Sequence, residues 1–132
     1  MRKTAKTLFG ASAALLVAGL MASPAFAGKL PSDADCKKLE GADAAKKGAC
    51  VAIDRKKGNC LACHVMADGA LPGNIAPPLV AMKARFPDKA KLRAQLWDAG
   101  VANPNTIMPP FGRHKLVSEQ DIDNMVEFLL TL

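Results

Sequence analysis

Five consecutive residues, Cys60-Leu61-Ala62-Cys63-His64, restrict this chain more than any other feature. Two thiols three positions apart, followed at once by an imidazole, make the C-x-x-C-H arrangement that attaches a c-type haem. The spacing has a physical reason. On one helical turn both sulfurs reach the two vinyl groups of a porphyrin, and the adjacent His points at the iron from the same face. Two other chemistries use similar spacings. A thiol oxidoreductase wants its C-x-x-C beside a βαβ unit, and no alternating strand pattern is visible. A zinc site wants four ligands, and Cys36 and Cys50 stand too far apart to form a second knuckle.

The amino terminus agrees with attachment outside the cytoplasm. Arg2, Lys3 and Lys6 precede an uncharged apolar run from Leu8 to Ala22, and Ala25-Phe26-Ala27 follows as a small-x-small cleavage site. That order reads as a secretory signal peptide over 1–27. The apolar run is short for a membrane span of ~20 residues. The expectation is a periplasmic protein with no membrane segment after cleavage. Residues 28–132 then form one domain of ordinary size, with 28–47 as an N-terminal extension. In an oxidising compartment the two spare thiols, Cys36 and Cys50, are expected to pair.

Composition narrows the class further. The chain has five Phe, one Trp and no Tyr, so its own side chains make a thin core. A buried porphyrin would add apolar area at about 25 cal/mol per Å². Of eighteen basic residues three lie in the signal, leaving fifteen against twelve acidic. The basic residues are dispersed and no recognition motif accompanies them, which argues against nucleic acid as a partner.

The elements read as helices joined by long loops. A polar lead-in from Lys29 to Gly41 carries a short helix, and Ala42 to Ile53 forms the next. Met66 to Pro78 is dense in Gly and Pro and must be a loop. Pro78 can open a helix over Leu79–Arg85. Asp88 N-caps a helix expected to run to Ala99 and end at Gly100, with Leu92, Leu96 and Ala99 on one face and Trp97 beside them. Asn103 to Gly112 is a second loop. Ser118 to Asp121 fits a capping box. Ile122, Met125, Val126, Leu129 and Leu130 follow at the spacing of an amphipathic helix. The predicted class is all-α.

A haem iron needs a sixth ligand, commonly a Met thioether or a His imidazole. Met108 precedes Pro109-Pro110, which stiffen the backbone that presents it. Met66 is confined to the His64 side, Met82 lies on a predicted helix, and Met125 belongs to the last helix's apolar stripe. His114, in the basic segment Arg113-His114-Lys115, is the alternative to Met108. The carbonyl of Pro77 is the expected acceptor for the second N–H of His64. The site residues expected are thus Cys60, Cys63, His64, Met108 and Pro77.

Together, Cys60-x-x-Cys63-His64, the Pro77 loop, Met108-Pro109 and the C-terminal helix resemble a class I cytochrome c, from Gly48 onward. That resemblance implies short helices and long loops wrapped around one covalent haem c. More narrowly, the stretches Asp54–His64, Gly73–Leu79, Arg85–Arg93 and Ile107–His114 are similar to the SoxX family of thiosulfate-oxidising complexes. The resemblance implies a heterodimer with SoxA, a second c-type cytochrome. It implies that thiosulfate is joined oxidatively to a cysteine of the carrier SoxYZ at the SoxA haem. The SoxX haem would take the electrons and pass them to a downstream cytochrome c. No general acid, base or nucleophile stands out in this chain, so no catalytic residue is assigned. The alternatives are a free-standing diffusible periplasmic cytochrome c shuttle and a thiol redox protein without haem.

Overall fold

The structure is a computed structural model that describes residues 28–132, so the signal-peptide reading of 1–27 lies outside the described residues. Five α-helices and two 3₁₀ turns follow one another, and the described residues contain no strand beyond an isolated bridge between Met66 and Leu79. The all-α expectation holds. No helix among the described residues is long and apolar enough to cross a membrane.

Helix α1 (Asp33–Cys36) begins at a reciprocal cap, Ser32 with Asp35. The Ser32 hydroxyl and backbone N–H both donate to the Asp35 carboxylate, at 2.6 and 2.9 Å, and hold it below its ordinary value. Helix α2 (Ala44–Ile53) begins two residues later than the periodicity indicated, because the Asp43 carboxylate accepts from Lys46 N at 2.7 Å and acts as N-cap. A disulfide joins Cys36 to Cys50, as their shared compartment suggested, and ties α1 to α2. Closing a loop with a sequence separation of 14 is worth roughly 3 kcal/mol in the chain-entropy account.

Helix α3 is shorter than expected and covers Met82–Arg85. Pro78 does not open it. Leu79 is committed elsewhere: its N–H donates to Val65 O at 2.8 Å, and it pairs with Met66. Ala81 then turns the chain through a left-handed conformation (φ +50°) before the helix starts.

Helix α4 covers Lys89–Trp97, capped by Asp88 as expected. It ends at Asp98, not at Gly100. Asp98 is extended (φ −158°), and its carboxylate accepts from Gly100 N at 3.0 Å, starting a 3₁₀ turn over Ala99–Val101. Gly100 therefore lacks the left-handed role that ends many helices.

Helix α5 (Glu119–Leu129) starts at Ser118, whose hydroxyl accepts from Asp121 N at 3.0 Å. The Asp121 carboxylate pairs with Lys57 at 3.3 Å. Ile122, Met125, Val126 and Leu129 are buried as the spacing required, Leu130 is half-buried, and Phe128 joins the core from outside the expected stripe.

Helices α2 and α5 form the frame. Ala49, Val51 and Ala52 of α2 meet the α5 stripe, and Leu92, Leu96, Met66, Leu79 and Met82 complete the core. The crossing point is Gly48, where a Cβ would fall 1.9 Å from the Asn124 carbonyl oxygen. Helix α4 is held to α5 by Arg93, which donates to Asp123 at 2.6 Å and Glu119 at 2.9 Å. These hydrogen bonds raise the Arg93 guanidinium above its ordinary value, and the same group lies 5.4 Å from the Trp97 ring centroid.

Gly48→Ala tests the crossing. Helix propensity alone favours Ala by about 1 kcal/mol, while forcing a methyl into a closed contact costs about 1–3 kcal/mol. The obstacle here is backbone rather than a movable side chain, so a net loss is expected. Urea unfolding should show it, and a variant as stable as the parent would refute the close crossing.

Candidate functional site

The motif follows directly from the end of α2. Gly58 N donates to Val51 O and Asn59 N to Asp54 O, both at 3.0 Å. Gly58 is needed there because a Cβ would sit 2.7 Å from the Val51 carbonyl oxygen. Asn59, left-handed at φ +46°, turns the chain into a 3₁₀ turn over Cys60–Ala62, and Asn tolerates that conformation better than most residues. Cys63 N and His64 N both donate to Cys60 O, at 3.1 and 2.9 Å. The two cysteines and the histidine therefore share one turn. Cys60 and Cys63 are free thiols, unlike Cys36 and Cys50. Burial pushes the Cys60 thiol up to about 11, so it stays neutral at physiological pH.

The loop after the motif runs back beside it. Gly73 N donates to Leu61 O at 2.8 Å, Ala76 N to Cys63 O at 3.1 Å, and Leu79 N to Val65 O at 2.8 Å. Three carbonyls of the motif segment are thereby satisfied by one returning strand of loop. Gly73 allows the approach: a Cβ there would lie 2.1 Å from the Ala62 carbonyl oxygen.

This stitching brings Pro77 O to 2.6 Å from His64 Nδ1, the contact expected from the sequence. A carbonyl can only accept, so Nδ1 carries the proton and donates it. Nε2 is left with its lone pair free to coordinate a metal, and the ring orientation is fixed.

Four methionines lie among the described residues. Met66, Met82 and Met125 are buried in the core at 1%, 2% and 1% exposure, so their thioethers are occupied by packing. Met108 is half-buried and packs against the core edge, and its N–H donates to Thr106 Oγ1 at 3.1 Å. His114 is exposed, as its basic neighbours suggested.

The donor set fits a haem c. It offers two free thiols and an oriented imidazole on one turn, with a half-buried thioether on a separate loop. Val65, Leu71, Ile75, Val80 and Ile107, large apolar residues on the segments flanking these groups, are exposed. They suit an apolar macrocycle or an apolar partner. Among the described residues no group of three or more His, Cys, Asp or Glu converges as a metal site of another kind.

Three features have no local signal in the sequence. The carbonyl stitching, the Gly73 contact and the closure of the Met108 loop on Trp97 all join segments distant in the chain. Gly73 and Gly112 were visible as turn formers, but nothing local showed what each must approach.

Comparison with known proteins adds a family. The profile described as cytochrome c oxidase, cbb3-type, subunit III matches residues 45–129, from α2 to the end of α5. No curated protein matches the chain.

Gly73→Ala should push the loop off the motif and break the His64–Pro77 contact. The expected cost is about 1–3 kcal/mol of stability, with faster solvent exchange of the His64 Nδ1 proton by NMR. An unchanged exchange rate would show that the loop does not depend on Gly73.

Proposed function

We propose, from the premise that this chain belongs to the cytochrome c family described as cbb3-type oxidase subunit III, that it binds one haem c covalently and works as an electron-accepting subunit. Family membership makes it a haem-binding, electron-transfer domain. The observation that carries the finer reading is the 2.6 Å contact between His64 Nδ1 and Pro77 O. It prepares Nε2 of the motif histidine as an iron ligand.

In this reading Cys60 and Cys63 would hold the haem through thioethers, and His64 and Met108 would ligate its iron. When bound, the haem supplies one-electron redox chemistry. The protein's own tasks are to orient the imidazole, present the thioether and exclude water. Burial and thioether ligation both favour the less charged reduced iron, which suits an electron acceptor. No residue acts as acid, base or nucleophile.

The partner reading is that of SoxX. It is supported by the four sequence stretches that resemble that family. SoxA would be the stable partner, while SoxYZ and a downstream cytochrome c would be met transiently, in the periplasm. The loops at 69–79 and 103–112 bear no charged side chain, with Asp68 and Arg113 standing just outside them. Such a frame suits a lasting contact, whose core excludes charge, better than a transient electrostatic one. A freely diffusing shuttle, the second reading, is favoured by the small size of the domain alone.

Two tests separate these statements. The oxidised protein should show the weak sulfur-to-iron absorption band at the red end of the spectrum, and Met108→Ala should remove it. A band that survives means a ligand other than Met108. Ile107→Glu or Leu71→Lys should weaken assembly with the second cytochrome by about tenfold, ~1.4 kcal/mol, and leave haem attachment intact. Normal assembly, with reduction governed only by salt, would favour the shuttle.

A further inference from the structure

Met108 lies in a loop whose two ends meet. The chain leaves α4 at Asp98, runs through Ala99 to Gly112, and returns at Arg113. Compact loops of this length with adjoining ends behave as single units. Here the ends are joined by three contacts. The Trp97 carbonyl accepts from both Gly112 N (3.1 Å) and Arg113 N (3.2 Å). Gly112 lies flat on the Trp97 indole, where a Cβ would be 2.2 Å from a ring carbon. Arg113 Nε donates to Asp98 Oδ2 at 2.6 Å.

Between these ends, the loop's own N–H groups bond within the loop, while Pro110 O and Phe111 O accept from His114 N and Leu116 N of the segment that follows. Asn103 N reaches Ala99 O, Thr106 N reaches Asn103 O, and Phe111 N reaches Pro109 O, each at 3.0 Å. Met108 N is held by Thr106 within the same loop. The residues that bury the loop are at its ends, Ala99 at 0% and Phe111 at 5% exposure. The place of Met108 is therefore set by its packing against the core edge and by how the ends are clasped.

Asp98 does the most at that clasp. Its side chain is only 12% exposed. One oxygen accepts from Gly100 N and sets the outgoing turn, while the other holds Arg113 on the returning segment. It thus couples both ends in one carboxylate.

We propose that Asp98, through Arg113, is a positioning residue that keeps the Met108 loop closed and its thioether presented to the iron. The proposal rests on Met108 being the distal ligand. Loosening the clasp lets the loop open more often, and an outside ligand can then take the iron. The fold itself is framed elsewhere, by α2 and α5, so ligand exchange should respond more than global stability.

The experiment measures the rate at which imidazole displaces the thioether in the oxidised holoprotein, followed by loss of the sulfur-to-iron band. Asp98→Asn keeps an acceptor for Gly100 N but removes the charge, and Arg113→Gln removes it from the other side. Each should raise the capture rate about fivefold, the upper end for a partly exposed ion pair. Arg113→Lys should fall between Gln and the parent. Amide exchange at Gly112 and Arg113 should quicken in parallel. Ile122→Val, which loosens the core but removes no hydrogen bond of the clasp, should leave the capture rate unchanged. If Ile122→Val accelerates capture as much, or the clasp variants do not accelerate it, the proposal is wrong. A parent protein with no band, unaltered by Met108→Ala, would overturn the ligation reading and the proposal with it.

Discussion

The contact on which the rest depends is the crossing of α2 and α5 at Gly48. There the two backbones come so close that a single methyl would strike the Asn124 carbonyl. The close approach lets short helices interlock over a small area. Ala49, Val51 and Ala52 on one side and the α5 stripe on the other form most of the core. A domain with so few aromatics gains burial by proximity rather than by large side chains. Helix α4 is added to this pair by Arg93, which bridges Glu119 and Asp123 one turn apart on α5.

Everything in the site hangs from the end of α2. Gly58 and Asn59 donate back to α2 and its cap, so the C-x-x-C-H turn starts from a rigid base. The loop at 73–79 is then laid along the motif by three hydrogen bonds spaced along Leu61, Cys63 and Val65. Their joint effect is to orient one imidazole. A histidine whose Nδ1 is already donating has lost its choice of tautomer, and Nε2 is ready to ligate. The disulfide from α1 to Cys50 secures the same helix from its other side.

The two loops that flank the site are held differently. The 66–79 loop is stitched along its length to the motif. The 99–112 loop is joined to the body at its ends, by Trp97, Asp98 and Arg113. The histidine side is thereby held along its length, and the loop that carries Met108 is held mainly near its ends. This asymmetry follows from chain connectivity. His64 belongs to the motif itself, whereas Met108 lies in a distant segment.

Much of this was legible in the residues alone. The motif's spacing, the Asp88 and Ser118 caps, the α5 stripe and the Cys36–Cys50 pair are local or compartmental signals, and each needs only near neighbours or a count of thiols. Even the Pro77 carbonyl was legible, because a ligating histidine requires an acceptor and a loop follows closely. What the sequence could not decide was where Leu79 and Asp98 would spend their hydrogen bonds. Leu79 joined the Val65 carbonyl instead of starting a helix. Asp98 ended α4 before Gly100 by capping the next turn and meeting Arg113. Leu79 answers to a remote partner, and Asp98 to remote Arg113 as well as nearby Gly100; local propensities of a few tenths of a kcal/mol yield to such contacts. Residue identity names the groups that can hold a haem; how each is aimed follows from contacts between distant segments, because aim is set by backbone atoms that every residue shares.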